Sequence, residues 1–237
     1  MGKYTTIAIK VPDINRSFVQ GNYKYSNPSV ATANTAILNQ IGNGFLGYIN
    51  TWGEEFEIDN SIIAGFIATE SGGKNVAPNK YDATGLMQVT PNSVWEILVK
   101  WENIVKSPLS SKAKSFFNKA IPSSKNFNAN NLPSSAVKSE IRKALQNNSE
   151  FNIAIGTATL RWLLEAFKEG NTVNINKVMV SYNAGYYAMK DKVKGNPTTE
   201  QLLNNKKIPL ESRAYLLKML GVNGFLDLWF KKNNINV

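Results

Sequence analysis

Cysteine and histidine are both absent from the 237-residue chain. The first absence removes disulfides, thiolate nucleophiles and Cys-ligated zinc. The second removes Ser-His-Asp and Cys-His catalysis and most zinc sites. Carboxylates, lysine, tyrosine and hydroxyls remain. If the chain is an enzyme, its acid-base chemistry is expected to rest on Asp or Glu, with no metal and no cofactor. Long apolar runs are missing too, because the apolar stretches are broken by charges or Asn, so no membrane span is expected. Met1 to Arg16 lack the apolar core of a secretory signal. The chain is therefore expected either to have lost a signal or to reach its substrate by another route. Acids are scarce: 17 against 27 basic residues leave a formal charge of +10. That excess favours an anionic partner, and nucleic acid, an anionic membrane or the bacterial wall would each qualify. There is no zinc knuckle and no RNP-type aromatic string, so nucleic acid is not the expected partner.

What is present suits a folded chain. Hydrophobic residues make up 43% and aromatics 11%, enough for one sizeable core. Residues 1–30 mix Pro, Asn, Ser and Gly with short β-prone runs and read as an arm or a short strand. From Ala31 to Trp52, Ile37, Ile41, Phe45 and Ile49 recur at helical spacing, although Gly42, Gly44 and Gly47 weaken it. Asp59-Asn60 can cap a second helix bearing Ile62, Ile63, Phe66 and Ile67. Loops and a small hairpin are expected over 72–90, and Pro91-Asn92 opens a helix through Trp95, Leu98 and Val99. Helical patterning returns at Ile153–Phe167, Ile175–Tyr182, Leu210–Leu220 and Phe225–Phe230. Residues 106–143 carry eight Lys or Arg and one acid, Glu140. They read either as a solvated, partly disordered insertion or as a basic lid beside an anionic substrate. The whole reads as a single, mainly α domain over 31–237, with this basic insertion and with the hairpin region beside the second helix.

Ile62, Phe66 and Glu70 are spaced i, i+4, i+8 and share one helix face. Ser71-Gly72-Gly73 then stops the helix. Glu70 thus sits on an apolar face at a helix C-terminus, where burial and the helix dipole both raise a carboxyl pKa. By itself this feature fits a Glu paired with Lys or Arg at least as well as a catalytic one. Further strings follow in order: Gly85-Leu86-Met87-Gln88, Asn152 to Thr157, Ser181-Tyr182-Asn183-Ala184-Gly185, and Glu211-Ser212-Arg213 with Tyr215.

In these strings, from about residue 55 to 220, the chain resembles the soluble lytic transglycosylase family, which has the goose-type lysozyme fold. Glu70-Ser71 is similar to the family's Glu-Ser motif, Gly85–Gln88 to its Gly-Leu-Met-Gln motif, and Tyr182–Gly185 to its Tyr-Asn-Ala-Gly motif. The resemblance implies a mainly α, lysozyme-like (α+β) fold and a peptidoglycan glycan strand as the partner. It also implies Glu70 as a single general acid and base, which closes a 1,6-anhydro ring on the muramic sugar. It implies substrate contacts at Ser71, Asn79, Gln88, Tyr182, Asn183, Glu211 and Tyr215. Two positions depart from the family pattern: Thr90 stands where Met is frequent, and Asn79 where Ser is common.

A hydrolytic muramidase on the same fold is the second reading. It needs a positioned water and usually a second carboxylate roughly 6.5–9.5 Å from the first. Asp82 is the leading candidate, with Glu54, Glu55 and Glu57 behind it, although Asp82 reads first as a turn residue. A non-catalytic wall-binding protein of a phage virion is a third reading. Action on the wall from outside the cell or from a virion suits all three.

Overall fold

The computed structural model describes residues 9–10, 28–221 and 223–232. Its helices in chain order are α1 (Pro28–Glu55), α2 (Asn60–Ser71), α3 (Pro91–Val105), α4 (Ser111–Ala120), α5 (Ser135–Asn147) and α6 (Ser149–Ala166). They continue with α7 (Ile175–Ala184), α8 (Tyr186–Met189), α9 (Thr199–Asn204), α10 (Leu210–Leu220) and α11 (Phe225–Lys232). Strand β1 (Ile9–Lys10) runs parallel to β3 (Thr172–Asn174), which pairs antiparallel with β2 (Lys168–Glu169). The fold is mainly α and lysozyme-like, and no described helix is long and apolar enough to cross a membrane. Apart from β1 and the first turn of α1, the arm expected over residues 1–30 lies outside the described residues.

α6 is the centre of the molecule. Ile153, Ala154, Ile155, Ala158 and Leu160 are fully buried around its circumference, as expected of a helix packed on several sides. It meets α1, α3, α4, α5 and α7. Around it, α1 packs Ile41, Ile49 and Trp52 inward, while its three mid-helix glycines, Gly42, Gly44 and Gly47, border open space. The glycines weaken the helical propensity of α1 without interrupting its apolar stripe, so tertiary packing decides the outcome.

α2 starts where Asp59 accepts the Ser61 N–H at 2.8 Å, an ordinary N-cap bond. It ends at Gly72, in the left-handed conformation at φ 62°, with its N–H returning to the Ala68 carbonyl. α1, α10 and α11 pack against α2. Thr90 caps α3 by accepting the Ser93 N–H at 3.1 Å, which gives the departure from Met at this position a local structural role.

The basic segment is folded. α4, a short 3-10 helix (Pro122–Asn126) and α5 drive Ala113, Phe117, Ile121, Ile141 and Leu145 into the core. Each helix buries only two residues, one turn apart, while its lysines face outward. That sparse apolar pattern explains why the segment looks solvated in sequence.

Candidate active site

The C-terminal end of α2 opens onto two depressions. The larger, about 640 Å³, is lined by Glu70 with Asn79, Gln88, Tyr182, Asn183, Glu211 and Tyr215, among others. The smaller, about 380 Å³, lies on the other side of Glu70 and includes Ser71, Asn34 and Asn223. Thr69, Glu70 and Lys218 border both. Eight residues singled out in the sequence therefore converge on this groove, with Glu70 at the junction of its two parts.

The Glu70 carboxyl is pushed up to about 8, first by desolvation. The Tyr215 hydroxyl and the Lys218 ammonium oppose that rise, and the Glu211 carboxylate adds to it. Tyr215 reaches this position from α10, its ring 5.9 Å from Phe66 of α2. Its hydroxyl is buried close to Glu70, with no hydrogen-bond partner at bonding geometry among the described residues. Burial, then the neighbouring Glu70 charge, pushes the Tyr215 phenol well above its ordinary range, so it remains a donor. Tyr182 packs its ring edge-on against Phe66 at 4.9 Å and donates its hydroxyl to the Met87 carbonyl at 3.0 Å. Tyr182 thus braces the loop rather than bonding to Glu70.

That loop, 72–90, is fixed at several points. Gly85 sits at φ 79°, and a Cβ there would lie 2.0 Å from the Asn152 side-chain amide. Only glycine allows both the backbone conformation and the approach. Asn152, fully buried in α6, accepts the Met87 N–H at 2.8 Å and donates to the carbonyls of Thr84 (2.9 Å) and Leu145 (3.1 Å). A single antiparallel bridge joins Thr84 to Val89, the remnant of the hairpin expected here. Met87 is wholly buried. Gln88, at φ 48°, donates to the Gly85 carbonyl at 2.9 Å and still borders the groove. Asn79 accepts the N–H groups of Tyr81 and Ala83. It shapes the turn as well as lining the groove.

Asp82 occupies a left-handed turn position at φ 65° and accepts both Nε and Nη2 of Arg142, at 3.2 and 2.9 Å. It is absent from the lining of either depression. Its bidentate pair ties the loop to α5. Glu57 pairs with Arg161, and Glu55 with Lys112 and the Ser110 hydroxyl. None of Glu54, Glu55 and Glu57 lines the groove, and the carboxylate that shares it with Glu70 is Glu211. Glu211 does not pair with Arg213, whose guanidinium donates to the Leu203 carbonyl at 3.0 Å. Asn183 accepts the Ser212 hydroxyl at 2.7 Å, which locks α7 to α10. Gly185, at φ 87°, terminates α7.

Sequence reading passed over Lys218 and Tyr81. Lys218 belongs to α10, far along the chain, and no local pattern links it to Glu70. Asn152 heads a string already noted in sequence, and a polar residue within the apolar run Phe151–Ile155 was the signal for its role as a buried anchor of the loop. Tyr81 is an aromatic ring on the groove wall, 67% exposed, with the Lys80 ammonium 4.8 Å from its centroid.

A desolvated acid at a helix end, facing an open groove of amides and hydroxyls in a mainly helical domain, defines a lysozyme-like, glycan-cleaving class of protein. The family model described as "Transglycosylase SLT domain" matches residues 47–112 and 125–205, more than half of the chain, and the chain belongs to that family. Its activity is accordingly of the lytic transglycosylase type, on peptidoglycan of the cell wall. The matched stretches contain Glu70, Gly85–Gln88 and Tyr182–Gly185, while Glu211 and Tyr215 follow them. Neither the comparison with curated proteins nor that with solved structures returns a match.

Proposed function

We propose that the protein cleaves the β-1,4 bond between N-acetylmuramic acid and N-acetylglucosamine and leaves a 1,6-anhydro end, with Glu70 as the single acid and base. The observation that carries this reading is the Glu70 carboxyl, a half-buried acid pushed up to about 8 by desolvation at the meeting point of two depressions. Such a group holds its proton at neutral pH. It delivers that proton to the glycosidic oxygen as the bond to C1 breaks. The carboxylate so formed takes the proton of the muramic C6 hydroxyl, whose oxygen bonds to C1 and closes the ring. Glu70 is then protonated again, and no water is consumed.

The depressions on either side of Glu70 would take sugars on the two sides of the bond. Tyr215 donates toward the carboxylate form and steadies it between the two steps. Gln88, Asn79 and Asn183 offer amides, and Tyr81 an exposed ring, to sugar hydroxyls, N-acetyl groups and apolar sugar faces. Ser71 and Glu211 complete the proposed contact set. For the hydrolytic reading, Asp82 is poorly disposed, since Arg142 holds both its oxygens outside the groove.

Mass spectrometry of fragments released from purified peptidoglycan tests the proposal. Anhydro-muramic ends are expected, and Glu70→Gln should lower the rate about a thousandfold. Reducing muramic ends from the wild-type protein would overturn it in favour of hydrolysis.

A further inference from the structure

α4 and the 3-10 helix after it have two unlike faces. Ala113, Phe117 and Ile121 are buried, and the Phe117 ring packs among Trp52, Phe56, Phe116 and Phe151. This fixes the segment firmly to the core. The opposite face forms an open depression of about 510 Å³, lined by Ser111, Lys114, Ser115, Asn118, Lys119 and Lys125. It shares no residue with the groove around Glu70. The family match breaks off at residue 112 and resumes at 125, so Lys114 and Lys119 fall in its gap.

The three ammonium groups have no carboxylate within ion-pair distance among the described residues. Neighbouring acids are engaged elsewhere: Glu55 by Lys112 and the Ser110 hydroxyl, and Glu140 by the Ser123 N–H at 3.2 Å. The lining thus offers cations, hydroxyls and an amide, with no compensating charge. The depression is open and draws its lysines from two successive elements, Lys114 and Lys119 of α4 and Lys125 of the 3-10 helix, which suits successive anions along a polymer better than one small ion. It contains no aromatic side chain on which a base could stack, and stacking is a main source of affinity for single-stranded nucleic acid.

We propose that this face is a docking site for a phosphodiester-linked polymer of the bacterial wall, which holds the enzyme on its substrate while the groove works. The choice of a wall polymer rests on the peptidoglycan-cleaving reading, and the experiment separates the two. The full-length protein and a Lys114→Ser/Lys119→Ser/Lys125→Ser variant are sedimented with walls that carry the polymer, and with the same walls stripped of it by hydrofluoric acid. The wild type is expected to be retained about tenfold better by intact walls, with the advantage lost between about 50 and 200 mM salt. The variant should lose that advantage yet release glycan fragments from stripped walls at the wild-type rate.

Equal retention of the wild type by both walls would overturn the proposal, and so would a variant that still prefers intact walls. Tighter binding to duplex DNA than to purified polymer, at equal phosphate, would overturn it in favour of nucleic acid. A wild-type protein that releases nothing from stripped walls would instead overturn the catalytic reading.

Discussion

Removing water from around the Glu70 carboxyl raises its pKa, while Tyr215 and Lys218 pull it down and Glu211 pushes it up. The balance leaves the carboxyl mainly protonated at pH 7. An acid catalyst of this kind works below its pKa, so kcat/KM should fall as pH rises through about 8. The neighbours fix the direction of each variant. Lys218→Gln removes a charge that favours the carboxylate, so the alkaline limb should move to higher pH. Glu211→Gln removes a charge that disfavours it, so the limb should move to lower pH. The readout is the position of the limb rather than its height, and limbs unmoved in both variants would refute this electrostatic account. The raised pKa was legible in sequence, because Ile62 and Phe66 share a helix face with Glu70. The opposing contribution of Lys218 was not. It depends on α10 folding back against α2, a contact between residues 148 positions apart in the chain.

Helices α5 and α6 hold the loop that forms one wall of the groove. The α6 contribution is Asn152, with its three hydrogen bonds to Met87, Thr84 and Leu145. The α5 contribution is the Arg142–Asp82 pair, together with the Asn75 amide, which donates to the Gln146 carbonyl at 2.6 Å. Asn152→Ala leaves one N–H and two carbonyls without their partner inside the core, which should cost roughly 2–4 kcal/mol. Gly85→Ala should be similarly costly, because its new Cβ meets the Asn152 amide and its φ is unsuited to alanine. The two changes should not add. With Asn152 shortened, the side-chain collision disappears and only the backbone strain and the nearby Leu145 carbonyl remain. Denaturant unfolding of both single variants and the double variant checks this, and strictly additive losses would contradict it. The turn at Gly85 could be expected from the motif, and the helix order from apolar spacing. The α4–α5 helices could not, because two buried residues per helix are too few to raise a periodic signal. Nor could the tie at Asp82, whose partner lies 60 residues away.

Over the whole molecule, the same proton links catalysis to stability. The Glu70 pKa is 4.5 when unperturbed and about 8 in the folded protein. Below about pH 4.5 both states hold the proton and its burial carries no linkage penalty. Between the two values only the folded state holds it, so stability declines as pH rises. Above about 8 both states have released it, and the folded protein bears the full cost of a desolvated carboxylate. Glutamine has the same shape and never ionises, so Glu70→Gln should be more stable than wild type at neutral and alkaline pH. The side chain retains partial access to the groove, which reduces the gain to roughly 2 kcal/mol at pH 8. For a chain of this length that corresponds to a midpoint about 4–8 °C higher. At pH 4 the two proteins should melt together. Calorimetry at both pH values makes the test. A Glu70→Gln protein that melts no higher than wild type at pH 8 would show that the folded site accommodates the ionised acid at little cost. The groove around Glu70 would then be a solvated surface feature rather than a catalytic environment maintained at the expense of stability.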